Sequence, residues 1–322
     1  MTDTTISSLT ETVLVVEYGQ VEYAPGIFDP PATVWGGPSN TASRWQLNSL
    51  PSPELNNGTA LVFAGRVVGG SSAVNGMFFD RGSRFDYDTW DALQDNRKRS
   101  DRRDIRWTWK EVHPFFKKSV TFTPPPEAVA SKYNYTWDTS AFGKGPIHAS
   151  LPPFLWGDHY VARHSWEEMG IWVSKECADG NKEGLCWIPI SEHPVTARRS
   201  HAGLGHYADV IDRRPNYHLL TGHQVARVVY RNGDTESGPP AVEVRDVSGT
   251  KLFNVSAKNE VIVSAGAFGS PAILQRSGIG PAAFLRSANI PVVLDLPGVG
   301  SNLHDHSGPR IEWNCKPALV LS

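Results

Sequence analysis

The stretch Gly65-Arg-Val-Val-Gly-Gly-Ser-Ser-Ala-Val-Asn75 decides the fold, because it joins a predicted strand to a glycine turn and a helix start. Its paired glycines, Gly69 and Gly70, allow the backbone to approach a flat ligand where any Cβ would collide. We expect the hydroxyls of Ser71 and Ser72 and nearby backbone N–H groups to face that ligand, a lining suited to phosphate or a ring edge. An ordinary glycine-rich turn is the alternative, and two glycines alone would favour it.

A second informative stretch, Gly266-Ala-Phe-Gly-Ser-Pro-Ala-Ile-Leu-Gln-Arg-Ser-Gly-Ile-Gly280, follows the β-branched run at 261–263. We predict a buried strand over 261–263, a tight turn and then a helix. Ser270 is the expected N-cap and Pro271 the first helical residue, since proline lacks the N–H that would be unsatisfied there. By itself this pattern indicates no more than an ordinary capped helix.

The rest of the chain alternates short strands with helices. Residues 24–56 are rich in Pro, Gly, Ser and Asn without a period, which predicts a long, lid-like surface excursion. The other predicted elements are a buried parallel strand at 13–16, a helix at 107–119 with a shared apolar face that includes Phe115, a proline-rich break at 121–127, a helix at 193–211, and a β-meander at 218–221, 226–230, 241–247 and 252–256.

One motif match is rejected. Gly203-Leu-Gly-His-Tyr-Ala208 fits the letters of a dinucleotide fingerprint, but that fingerprint needs a strand before it. The preceding residues, 197–202, are polar and are predicted to be helical. The sequence also contains no nucleophile elbow and no zinc-protease helix, so hydrolase functions have no support.

Together, the stretches at 65–75 and 266–280 resemble the two signatures of the glucose–methanol–choline (GMC) family of FAD-dependent oxidoreductases, whose members include aryl-alcohol oxidases and choline dehydrogenases. The similarity continues between them at 109–124, 145–147 and 214–216. The resemblance implies an α/β chain, with a Rossmann-like FAD-binding domain and a discontinuous, incomplete α+β substrate domain.

The resemblance also implies a domain plan. The FAD-binding domain is expected in two parts, 1–85 and 196–308, and the first part includes the lid-like excursion at about 24–56. Residues 86–195 are expected to form a substrate-side segment between the two parts. Residues 309–322 are expected to begin a truncated substrate domain.

Family resemblance assigns FAD contacts residue by residue. Glu17 is expected to accept hydrogen bonds from the ribose, the backbone of Val225 to pair with adenine, and Asp305 and His306 to reach the flavin and pyrophosphate. Val74 stands where some relatives attach FAD covalently through a histidine, so the flavin here is expected to be non-covalent. The full set of implied cofactor residues is Glu17, Arg66, Val68, Gly69, Gly70, Ser71, Ser72, Asn75, Gly76, Val225, Gly266, Asp305 and His306.

The implied reaction is oxidation of a small-molecule alcohol to a carbonyl, with hydride transfer to the flavin and reoxidation by oxygen or another acceptor. The family's catalytic histidine is expected beyond Ser322, and its opening glycine-rich turn before Met1, so no catalytic residue is assigned. His304 matches the cofactor side and is not assigned as the base. A catalytically inactive fragment or pseudoenzyme and a cyanohydrin lyase of the same fold stay open as alternatives.

Composition excludes some partners. The net charge of −2 and the absence of a basic stripe argue against nucleic acid as a partner. No apolar run approaches the roughly 20 residues that cross a bilayer. Residues 1–11 show no secretory leader, so the default expectation is a cytoplasmic protein, with secretion open if the true N-terminus is missing.

The cysteines and three glycosylation triplets leave questions open. The cysteine spacing fits no metal site, and Cys177 and Cys186 flank a turn where either a disulfide or two reduced thiols would fit. Asn57, Asn134 and Asn254 begin formal Asn-x-Ser/Thr acceptors, which also arise by chance.

Overall fold

The computed structural model describes residues 11–22, 43–93, 106–230, 233 and 238–305. The chain divides into two compact units, each with its own core. Unit 1 comprises Met1–Gln20 and Pro215–Asn314, and unit 2 comprises Val21–Arg214 and Cys315–Ser322. The functional domain boundaries given above stay a prediction.

The helices and strands of the described residues, numbered in chain order, are β1 (Val13–Val16), β2 (Arg44–Asn48), β3 (Leu61–Gly65), α1 (Arg84–Leu93), α2 (Trp109–Ser119), β4 (Val120–Thr123), α3 (Glu127–Tyr133), β5 (Ile147–Ser150), α4 (Asp158–Glu168), β6 (Tyr217–Leu220), β7 (His223–Val229), β8 (Ala241–Asp246), β9 (Leu252–Ser256), α5 (Gly266–Arg276), β10 (Ile279–Gly280), α6 (Ala282–Ser287) and β11 (Leu294–Asp295).

Unit 1 combines parallel strand pairs with an antiparallel sheet. β1 pairs in parallel with β6 over its whole length, which confirms the parallel strand predicted at 13–16. β7, β8 and β9 form an antiparallel meander, as predicted. The strand predicted at 218–221 as the first of that meander corresponds to β6, which pairs with β1 instead. β10 pairs in parallel with β11. α5 packs against β7. The buried residues of this core are Val228, Val242, Val244 and Ile273.

Two further predictions for unit 1 were wrong in detail. β1 is not fully buried, since Val13 is 47% exposed and β6 is the strand's only partner in the described part of the chain. Residues 261–263 do not form a strand, because no strand of the described residues pairs with them. Val261 and Val263 still pack against the core, which accounts for their apolar character.

In unit 2, β2 and β3 form an antiparallel hairpin in register from Arg44 opposite Gly65 to Asn48 opposite Leu61. The prediction of an irregular excursion is therefore wrong for residues 44–48. These residues form a strand because they pair with β3, and local propensity does not reveal that pairing. Residues 24–42 lie outside the described residues.

The core of unit 2 surrounds a parallel strand pair of its own, β4 with β5. The proline-rich break predicted at 121–127 therefore begins only after Thr123. Residues 121–123 belong to β4, because they pair with β5. α2 confirms the helix predicted at 107–119, although it begins at Trp109 and Phe115 is exposed rather than on a buried face. The buried residues of this core are Val120, Phe122, Ala130, Tyr133, Tyr135, Ala141, Phe142, Ala149, Leu151 and Ala178.

The predicted helix at 193–211 is wrong for residues 193–201, and helical structure begins only at Ala202. Residues 193–200 form turns and bridges, followed by a π-helical turn at Leu204–Ala208 and a 3-10 turn at Ile211–Arg213. Tertiary contacts override the helical pattern, because Arg199, Ser200 and His201 are buried polar side chains. No helix among the described residues has the length and apolar character of a membrane span. Within the same residues, no group of three or more His, Cys, Asp or Glu side chains could hold a metal ion.

Candidate cofactor site

The loop after β3 carries the first signature and is held by its own side chains. Gly69 and Gly70 both have positive φ, 104° and 57°. Ser71 Oγ accepts a hydrogen bond from the N–H of Gly65 at 3.0 Å, and Ser72 Oγ donates to the carbonyl of Gly69 at 2.6 Å. Both hydroxyls therefore stabilise the turn, and direct ligand contact by them stays a prediction.

A buried arginine holds the end of this loop. Arg199 donates from Nη1 to Asn75 Oδ1 at 2.7 Å and from Nη2 to the Asn75 carbonyl at 2.8 Å. Asn75 Oδ1 also accepts from the N–H of Met77 at 3.0 Å. Because two donors fix the amide oxygen, the amide nitrogen of Asn75 is left as a donor for a ligand.

The rejected motif at 203–208 lies beneath the same loop. A Cβ on Gly203 would lie 2.3 Å from the carbonyl oxygen of Val68, so only glycine fits there. The N–H of Ala202 donates to Ser72 Oγ at 3.0 Å. This glycine-rich stretch is therefore a packing surface for the first signature and not a dinucleotide turn of its own.

Gly70 presents bare backbone to open space. A Cβ built on Gly70 would meet no atom within 4 Å, although its φ lies in the left-handed region. Internal packing thus leaves room for a side chain at this position. Within the protein, only the positive φ disfavours residues other than glycine. A flat ligand that approaches the backbone supplies a reason for glycine, and this fits the isoalloxazine or phosphate groups of FAD.

The other loop residues have distinct surroundings. Arg66 donates its backbone N–H to the carbonyl of Ser43 at 2.8 Å, and its guanidinium carbon lies 5.1 Å from the ring centre of Trp45. Val68 is buried, so only its main chain can reach a ligand, whereas Gly76 is exposed.

In unit 1, Glu17 directly follows β1 and is hydrogen-bonded to the first residue of β7. Its carbonyl accepts a hydrogen bond from the N–H of His223 at 3.1 Å, and its Oε1 accepts from the N–H of Gly19 at 2.7 Å. Burial raises the pKa of the Glu17 carboxyl, and the Gly19 N–H opposes that shift. Within the described residues Oε2 makes no hydrogen bond, so one carboxyl oxygen is available to a ribose hydroxyl.

Val225 lies at an irregularity in β7. The register of β7 against β8 shifts between Val225 and Arg227, as in a β-bulge. Arg276 Nε donates to the carbonyl of Ala226 at 2.6 Å, and Ser277 Oγ accepts from the N–H of Val228 at 2.8 Å. The end of α5 therefore holds the bulge at Ala226, the residue of this stretch that has no partner in β8. Pairing of the Val225 main chain with adenine stays a prediction.

α5 begins at Gly266, so the prediction that Ser270 caps the helix and Pro271 starts it was wrong. Gly266 has φ 77°, and a Cβ there would meet no atom within 4 Å. Ser270 lies inside the helix and accepts the N–H of Ala265 at 3.0 Å, which closes the first turn. Asp305 is exposed, and His306 lies outside the described residues.

The predicted cofactor residues thus form two groups. Unit 2 gathers those of the 65–76 loop, and unit 1 gathers Glu17, Val225 and Gly266. Sequence reasoning missed Arg199, whose only signal was a pair of arginines in a polar stretch. Contact of each group with FAD stays a prediction.

The fold and the two glycine-rich signatures are typical of the flavin-dependent oxidoreductases. The family model described as GMC oxidoreductase matches residues 7–308. The chain belongs to the GMC oxidoreductase family, an enzyme family whose cofactor is FAD. This confirms the resemblance, the α/β fold class and FAD as the cofactor.

Three similar proteins illustrate the relationship. Dehydrogenase xptC from Emericella nidulans is 35% identical, covering 92% of this chain and 45% of its own length. The structure of a fungal aryl-alcohol oxidase is 58% identical, with a TM-score of 0.84 over 90% of this chain and 47% of that one. An FAD-dependent oxidoreductase from Chaetomium thermophilum is 38% identical, with a TM-score of 0.78 over 89% of this chain and 46% of that one. The chain thus spans about half the length of the relatives it matches.

Proposed function

We propose that this chain holds FAD non-covalently in an enzyme that oxidises a small-molecule alcohol to the corresponding carbonyl. The observation that carries the proposal is Gly70, which presents bare backbone to open space on a loop anchored by Arg199. FAD supplies the hydride acceptor when it is bound. The 58% identity to a fungal aryl-alcohol oxidase makes aromatic alcohols the first substrate class to test.

Each residue has a proposed part in holding the cofactor. Glu17 accepts from the ribose hydroxyls, and the amide nitrogen of Asn75 donates to the flavin ring or a phosphate. Val74 packs against Val67 and Ala73 and carries no group that can bond to flavin, which supports non-covalent binding.

The disulfide supports a proposal about compartment. Cys177 and Cys186 are joined by a disulfide, which resolves the question left open by their spacing. Disulfides persist in oxidising compartments and are rare in the cytosol. We therefore favour a secreted protein over the cytoplasmic default, with oxygen as an available electron acceptor.

Anaerobic reduction of the bound flavin tests the reaction. The protein is isolated from its native source and loaded with FAD. It is then mixed with 4-methoxybenzyl alcohol, or with the same alcohol deuterated at the carbinol carbon, and its visible absorbance is followed. We expect the oxidised flavin bands to bleach, more slowly with the deuterated alcohol, and the aldehyde to appear. Bound flavin that stays oxidised would contradict the proposal and favour the inactive or lyase alternatives.

A further inference from the structure

The turn that joins β2 to β3 carries two adjacent asparagines with similar backbone geometry. Asn56 and Asn57 both lie in the left-handed region, with φ 53° and 59°, and both are exposed. The N–H of Asn56 donates to the carbonyl of Pro53 at 3.0 Å, and the N–H of Asn57 donates to that of Ser52 at 2.9 Å. The main chain is therefore fixed by its own hydrogen bonds, while neither side-chain amide is bonded within the described residues.

Only one of these asparagines is followed by the hydroxyl that Asn-linked glycosylation requires. Asn57-Gly58-Thr59 is an acceptor triplet, whereas Asn56 has Gly58 at the position where a serine or threonine is needed. Thr59 is exposed, as is Asn57. The turn thus contains an acceptor asparagine beside a matched asparagine that is not an acceptor.

A separate feature indicates the compartment where such a modification takes place. The Cys177–Cys186 disulfide forms where thiols are oxidised, which is also where oligosaccharides are attached to asparagine in secreted proteins. The disulfide and the triplet lie far apart in sequence, and each is consistent with passage through the same compartment.

The surface around the turn includes several exposed apolar side chains. Leu50 is 86% exposed, and Leu55, Leu61 and Phe63 are each about half exposed on the same hairpin. Exposed apolar clusters favour association between molecules unless something covers them. A large polar group on Asn57 would shield this hairpin without disturbing any side-chain hydrogen bond.

We propose that Asn57 carries an Asn-linked oligosaccharide. The donor is an oligosaccharide linked to a lipid through pyrophosphate. A bond forms between Asn57 Nδ2 and the first sugar's anomeric carbon as that carbon's bond to the pyrophosphate oxygen breaks. Nδ2 gives up one proton, the lipid pyrophosphate leaves, and no oxidation or reduction takes place.

Asn57 is preferred over the other two acceptor triplets. Asn134 is exposed, but the hydroxyl of its triplet residue Thr136 donates to the carbonyl of Ser174 at 3.3 Å. Asn254 lies within β9, paired with Glu243 of β8. Of the three triplets, only that of Asn57 has an exposed asparagine and an exposed hydroxyl residue that both lie outside a β-strand.

Peptide mapping of the protein from its native source tests the proposal. The protein is treated with peptide-N-glycosidase in ¹⁸O-labelled water, which converts a glycosylated asparagine to labelled aspartate. We expect the label at Asn57 and unmodified asparagine at Asn56. An unlabelled Asn57 would overturn the proposal.

Variants produced through a eukaryotic secretory pathway provide the matched control. Asn57→Gln should lose one glycan on an electrophoretic gel, whereas Asn56→Gln should migrate like the parent. Thr59→Ala removes the acceptor without changing either asparagine, so it should match Asn57→Gln even if that variant folds poorly. Parent-like migration of Thr59→Ala would count against the assignment.

Discussion

Arg199 binds both the side-chain and the main-chain oxygen of Asn75, at 2.7 and 2.8 Å, although it is only 1% exposed. A buried guanidinium is unfavourable unless its N–H groups are hydrogen-bonded. Arg199 therefore fixes the end of the first signature, and the amide nitrogen of Asn75 keeps one orientation.

Replacing Arg199 should destabilise the fold and weaken cofactor binding together. We expect Arg199→Ala to lose about 3 kcal/mol of unfolding free energy, because Asn75 loses charged donors and a cavity remains. Urea unfolding measures the loss. The control is Val195→Ala, a change at an exposed residue of the same segment, which should be nearly neutral.

Gly70, in the first signature, and Gly203, which packs beneath it, should respond differently to substitution. Gly70→Asn places a side chain in open space at a φ that asparagine tolerates, so the unfolding free energy should change by less than about 1 kcal/mol. FAD affinity should fall at least tenfold, or about 1.4 kcal/mol, since the side chain occupies the ligand's space.

Gly203→Ala should show the opposite pattern. Its Cβ would lie 2.3 Å from the carbonyl oxygen of Val68, and a backbone clash cannot be relieved by a rotamer change. We expect a loss of about 3 kcal/mol by urea unfolding. Equal effects of Gly70→Asn and Gly203→Ala on stability would refute this division of roles.

The disulfide should contribute measurably to stability. Cys177 and Cys186 lie 9 positions apart in the sequence, and closing a loop of that length is expected to stabilise the fold by about 3 kcal/mol. Reductant should lower the urea midpoint of the parent, while a double Cys177→Ser, Cys186→Ser variant should be unaffected by it. A reductant effect that persists in the double variant would point to another cause.

Glu17 should make unit 1 less stable as the pH rises. Burial raises the pKa of its carboxyl above the ordinary 4.5, so the folded state favours the protonated form. Its stabilising contribution is present below pH 4.5 and is lost as the pH rises through the folded pKa. Glu17→Gln should therefore be more stable than the parent at pH 7, and the difference should shrink towards pH 4. Glu260→Gln, at an exposed residue of the same unit, is the control substitution.

Local sequence patterns predicted much of the fold, and tertiary contacts explain the failures. The β7–β9 meander and the helices α2 and α5 follow from periodicity and turn residues. β2 and the irregular path at 193–200 do not, because β2 depends on pairing with β3, and Arg199 turns inward to reach Asn75. The glycine signatures were visible in the sequence, whereas the arginine that supports them was not.

Titration of the flavin-free protein with FAD, followed by flavin fluorescence, tests the central claim most directly. We predict saturable binding of one FAD per chain, at least tenfold weaker in Gly70→Asn, with all the flavin released intact by acid precipitation. Binding that is absent or equal in the parent and Gly70→Asn, or flavin that stays on the denatured polypeptide, would contradict a non-covalent FAD site at this loop.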